Sequence, residues 1–82
     1  MVNPKEFLNN QAMLRKAIED YLLNNKPRLH KQKQKCGELP SYLDLLTSET
    51  TKTARNLIVR GMLETEAWNH AIRYEISRTE NQ

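Results

Sequence analysis

Between Ser48 and Arg78, the residues Ala54, Leu57, Ile58, Met62, Trp68, Ala71, Ile72 and Ile76 fall on one side of a cylinder turned about 100° per residue. That is the period of an amphipathic helix, and the stripe includes the only tryptophan, so the upstream chain must cover it. The opposite side carries Val59, Leu63, Ala67 and Tyr74, more apolar surface than a helix covered on one face needs. Two arrangements account for this: several helices packed around a central one, or an interface between copies, a homodimer being the simplest.

Gly61 follows Arg60 within this stretch, and the spacing predicts a break or kink there. Glycine takes the left-handed conformation that ends many helices without a steric cost. Glu64 and Glu66 then stand where a new helix favours acids, with Leu63, a poor cap, near the N-cap position. One continuous helix would keep the stripe in register at a cost of roughly 1 kcal/mol for the glycine. It would be long for a chain of 82 residues.

Glycine is scarce and no run of β-branched residues alternates with polar ones, so nothing argues for a sheet. The expected fold class is all-α: one domain over 1–82, a small bundle of three to four helices at about 4–24, 40–46, 48–60 and 64–78. The last two are either separate or one kinked helix. A chain of this size buries only about 60–65% of the surface its unfolded form exposes, so the core is thin.

The first helix has a well-marked start. Asn3 can cap it, Pro4 suits the first helical position, Glu6 can reach back, and Val2 with Phe7 can close a hydrophobic staple. Phe7, Leu14, Ala17, Ile18, Tyr21 and Leu22 share one face. Asn24-Asn25-Lys26-Pro27 ends it, because the residue before a proline is pushed out of the helical region. Further on, Leu39, Tyr42, Leu43 and Leu46 are spaced for one or two turns on the core, after which Thr47 and Ser48 stop that element and cap the next. The final residues, Thr79 to Gln82, are expected to fray.

Residues 26–38 form an expected basic loop. Lys26, Arg28, Lys31, Lys33 and Lys35 put five positive charges into ten residues with no acid among them. Outside those ten residues there are eight basic and ten acidic side chains, so the net charge of +3 would otherwise be −2. Leu29 is the only apolar side chain before Cys36, which leaves either a mobile loop or a short exposed helix docked by one residue. In the helical case Arg28, Lys31 and Lys35 would share a face while Lys33 pointed away.

Catalysis and metal binding have little to build on. Cys36 has lysine neighbours that could lower its pKa and His30 lies six residues before it, but no local signature makes it a nucleophile. One cysteine and two distant histidines, His30 and His70, do not supply a structural zinc site, and no glycine-rich phosphate loop is present. No cofactor is expected, and the chain reads as no enzyme. A helix-turn-helix about Gly61 matches poorly, since Leu57 occupies the place where that motif wants a small residue. Arg55, Arg60, Arg73 and Arg78 could nevertheless supplement the basic segment.

No apolar run approaches the roughly 18 residues of a membrane span, the start lacks signal-peptide character, and neither long helix has the basic polar face of a membrane-surface helix. The single cysteine fits a reducing compartment, so the expected location is cytoplasmic. Two functional readings follow. In the first, a small binding or regulatory protein contacts nucleic-acid phosphates through Lys26, Arg28, Lys31, Lys33 and Lys35, with little base reading because no aromatic side chain lies among them. An acidic protein partner, or solubility alone, would also use those charges. In the second, an adaptor, inhibitor or assembly subunit binds a helical partner or its own copy through Val59, Leu63 and Tyr74.

Overall fold

A computed structural model describes residues 11–80. It contains α1 (Gln11–Asn25), α2 (Pro27–Lys35), α3 (Leu39–Val59) and α4 (Glu64–Glu80), and no strand among the described residues. The fold is therefore the expected small all-α bundle, but its four helices are not the four expected: 40–46 and 48–60 are joined in α3, and 26–38 contains a helix of its own. The Asn3–Pro4 start and the Val2–Phe7 staple lie outside the described residues.

α3 and α4 form an antiparallel pair around the turn at Gly61. That turn is the expected break: Gly61 has φ +103°, its N–H donates to Ile58 O, and the Met62 N–H donates to Leu57 O. Those two bonds make a Schellman motif that satisfies the last carbonyls of α3. On the far side, Leu63 O accepts the Ala67 N–H and opens α4, whose first turn holds Glu64 and Glu66.

The core joins three helices. Leu14, Ile18 and Leu22 come from α1; Leu39, Tyr42, Leu43, Leu46 and Ala54 from α3; and Trp68, Ala71, Ile72 and Ile76 from α4. Trp68 is almost fully enclosed, and truncating such a side chain to alanine removes about 3–5 kcal/mol. Leu57, Ile58 and Met62, expected on the same stripe, lie in the last turn of α3 and the turn that follows it and are only partly buried.

The first correction is that no boundary exists at Thr47–Ser48: residues 39–59 are one helix. Thr47 Oγ1 donates to Leu43 O at 2.7 Å, and Thr51 Oγ1 donates to Thr47 O at 2.9 Å. These hydroxyls are satisfied by carbonyls one turn back, so they do not compete for the amides that a cap would claim. Thr47 and Thr50 are buried at helix contacts, and tertiary packing overrides their local preference for a cap.

At its end α4 is tied down where fraying was expected. Thr79 is buried and its hydroxyl lies 2.9 Å from that of Tyr42, while Glu80 is still helical. Residues 81–82 lie outside the described residues. Ala67 is also buried in the α3–α4 contact and does not belong to the outer apolar surface. No helix among the described residues is long and apolar enough to cross a membrane.

Candidate nucleic-acid interface

The second correction concerns residues 26–38, which are not a loop. Pro27–Lys35 is a helix, the short docked form of the two arrangements that the composition allowed. Lys26, with φ −136° and ψ 56°, is the single non-helical residue between α1 and α2. Pro27 follows it at the first helical position, where its missing N–H costs nothing and its ring prevents α1 from continuing. At the other end Gly37 has φ +72°, its N–H donates to Gln34 O, and the Glu38 N–H donates to Lys33 O. This is the same Schellman closure as at Gly61.

α2 rests on α1 and on the start of α3 by one edge only. His30 is its single buried residue, 7% exposed, and its Nε2 lies 3.0 Å from Glu19 Oε2 on α1, the carboxylate accepting. Leu29 packs against the core from the same edge. Lys33 turns inward too: its ammonium stands 4.9 Å from the centroid of the Tyr42 ring and 3.4 Å from Glu38 Oε2. A cation over an aromatic face is attracted by the ring quadrupole, so Lys33 is held while its stem covers Tyr42.

The five cations named from the sequence are thereby sorted. Lys26 lies 3.1 Å from Glu80 Oε2 and joins the α1–α2 joint to the end of α4; Lys33 is held as described. Arg28, Lys31 and Lys35 are exposed and carry no ion pair among the described residues. At 3.6 residues per turn they fall within an arc of about 60°, spread over a rise of about 10 Å. Gln32 and Gln34, also exposed, flank that arc. Apart from Pro27 at its start, the outward side of α2 therefore holds only cations and amides.

Most of the acids nearest in the fold or the sequence to α2 already have a partner. Glu19 holds His30, Glu38 holds Lys33, Glu80 holds Lys26, and Asp44 on α3 accepts from Arg15 Nε at 3.1 Å. Asp20, exposed on the outer side of α1, has no ion pair among the described residues. Sequence reasoning found the cluster and held a short docked helix as one of two alternatives, but it named the segment a loop and missed its anchor His30. Pro27 and Gly37, a helix opener and a helix closer ten residues apart, were the available signal.

The supplementary arginines divide as well. Arg55, Arg60 and Arg73 are exposed. Arg78 is committed to Glu75, donating from Nε at 2.9 Å and from its terminal nitrogen at 2.6 Å. Hydrogen bonding to Glu75, then the charge of the same carboxylate, raises the Arg78 pKa above its ordinary value. Glu75 itself is 2% exposed and receives a third bond, 2.8 Å, from Thr53 Oγ1. That network fastens α4 to α3.

The second surface is carried by the last turns of α3, the turn after it and the middle of α4. Val59, Leu63 and Tyr74 are 86%, 69% and 50% exposed. Tyr74 stacks on His70, with ring centroids 6.5 Å apart and planes within 8°. The two rings line a shallow groove with Thr53, Asn56, Leu57 and Arg60. Cys36 is exposed at the turn after α2. Comparison with family models, with curated proteins and with solved structures finds no match.

Proposed function

We propose that this is a small non-enzymatic binding or regulatory protein that contacts nucleic-acid phosphates through the outward side of α2. The carrying observation is the three-cation arc of Arg28, Lys31 and Lys35, left unpaired among the described residues while Glu80 and Glu38 are paired with Lys26 and Lys33. Clustered cations lower the free energy of approaching a polyanion by releasing its condensed counterions. Lys26 and Lys33 serve to hold the helix in place. A cytoplasmic setting belongs to the reading, supported by the single exposed thiol. The test is binding of a labelled oligonucleotide by wild type and by the Arg28→Gln, Lys31→Gln, Lys35→Gln triple variant. The triple variant should lose most of the affinity at low salt, and retention of wild-type affinity would refute the assignment.

A second reading is favoured by the exposure of Val59, Leu63 and Tyr74 beside the His70 groove: a helical protein partner, or a second copy of the chain, covers that end of the α3–α4 pair. An apolar interface tolerates salt, so light scattering at low and high salt separates it from the first. Leu63→Asp should abolish any self-association found, and a monomer at all accessible concentrations removes the homodimer.

A further inference from the structure

We infer that the polyanion α2 is built for is a double-stranded nucleic acid and not a single strand, an inference that rests on the phosphate-binding reading above. The first ground is shape. Six of the nine residues of α2 are exposed and one is buried, so the helix forms an exposed ridge on the bundle surface, with Arg28, Lys31 and Lys35 on its outward side. Proteins that bind single strands without sequence preference use a positively charged groove lined with aromatic side chains on which bases stack. The outward residues Pro27, Arg28, Lys31, Gln32, Gln34 and Lys35 include no aromatic, and the small pocket that Pro27 and Arg28 line with Asn25, Lys26, Leu29 and Glu80 has none either. The nearby ring, Tyr42, is buried and already faces the Lys33 ammonium.

The second ground is charge density. The cationic arc spans about 10 Å. A duplex presents one phosphate charge per about 1.7 Å of axis, against one per about 3.4 Å for either of its strands counted alone. Three cations crowded into that length meet a denser array of phosphate charge on the duplex. The salt exponent is about 0.9 per neutralised phosphate for a duplex and about 0.7 for a single strand. With three contacts and equal affinities at about 1 M salt, counterion release alone favours the duplex by about sixfold at 50 mM and about threefold at 200 mM. A preference of that size which shrinks with salt is the signature of the ridge. Stacking would add an advantage for the strand that salt does not remove.

The experiment is fluorescence anisotropy with the full chain against a mixed-sequence DNA duplex of about 20 base pairs, the matching RNA duplex, and each separated strand, at both salt concentrations. The expected result is tighter binding to a duplex than to its own strands, by several-fold at the lower salt and less at the higher. The DNA and RNA arms show which duplex is preferred. Strands that bind as tightly as their duplex overturn this inference and leave the phosphate reading standing. If neither duplex nor strand binds at the lower salt, the phosphate reading itself falls and the inference falls with it.

Discussion

The sorting of five cations into three unpaired outward residues and two held by ion pairs, hereafter the inward two, makes a numerical prediction about salt. Each neutralised phosphate contributes about 0.9 to the slope of log affinity against log salt on a duplex. Three contacts from Arg28, Lys31 and Lys35 give a slope near −2.7, so affinity falls about 40-fold between 50 and 200 mM salt. Had all five cations been free, the slope would be near −4.5 and the loss about 500-fold over the same range. The perturbations are Arg28→Gln with Lys31→Gln and Lys35→Gln, against Lys26→Gln with Lys33→Gln. Anisotropy titrations at several salt concentrations measure the slope, and far-UV circular dichroism checks that both variants remain helical. The outward triple variant should give a slope near zero. The inward double variant should keep a slope near −2.7, because Glu80 and Glu38 already occupy those two ammonium groups. A wild-type slope near −4.5, or equal flattening by both variants, refutes the sorting.

Other consequences follow from single contacts. Glu80→Gln releases Lys26 at the edge of the same ridge, and the slope should steepen by about 0.9 if that ammonium then reaches a phosphate. Thr53→Val removes a donor from the buried Glu75 carboxylate and should lower stability by about 1–3 kcal/mol in urea unfolding, with unchanged nucleic-acid affinity. Gly37→Ala meets no neighbouring atom within 4 Å, so its effect is backbone strain alone at φ +72°. The cost of roughly 1–2 kcal/mol should appear as faster amide exchange in α2, the helix that this residue closes.

How much of this was legible beforehand depended on the range of the interaction. α1 and α4 could be read from apolar periodicity, because Leu14, Ile18 and Leu22, and then Trp68, Ile72 and Ile76, repeat at helical spacing and are buried for that reason. Gly61 was legible as a helix end because the glycine requirement is local. The false boundary at Thr47–Ser48 shows the opposite case. A run of hydroxyl residues looks like a cap, and only the burial of Thr47 and Thr50 between helices, with the Thr47 hydroxyl turned onto a carbonyl, keeps α3 continuous. The candidate site was half legible. Five cations in ten residues are visible in any listing of the chain, and helical spacing already set Lys33 apart. That Lys26 is occupied was not visible, since its partner Glu80 lies 54 residues away.

The inward contacts of α2 bear on binding as well as on folding. An isolated nine-residue helix is marginal in water, and one crowded with like charges is more so. α2 is helical because His30, Leu29 and Lys33 hold its inner edge, with Pro27 and Gly37 setting its ends. Ordering a flexible segment costs about 1–2 kcal/mol per residue in backbone entropy, and a helix formed before contact spares a ligand that cost. Loosening an inner anchor should therefore weaken polyanion binding although no phosphate contact is touched. His30→Ala removes the buried ring and leaves Glu19 without its partner, a loss of about 1–3 kcal/mol in the docking of α2. If that loss unfolds α2 in the free protein, affinity falls by up to about 100-fold at every salt concentration. The slope stays near −2.7, because the number of phosphates neutralised in the complex is unchanged. Amide exchange in residues 27–35 should accelerate in the same variant. Accelerated exchange with full affinity would mean that the ligand has no use for a preformed helix, and a changed slope would mean that His30 or Glu19 takes part in the contact itself.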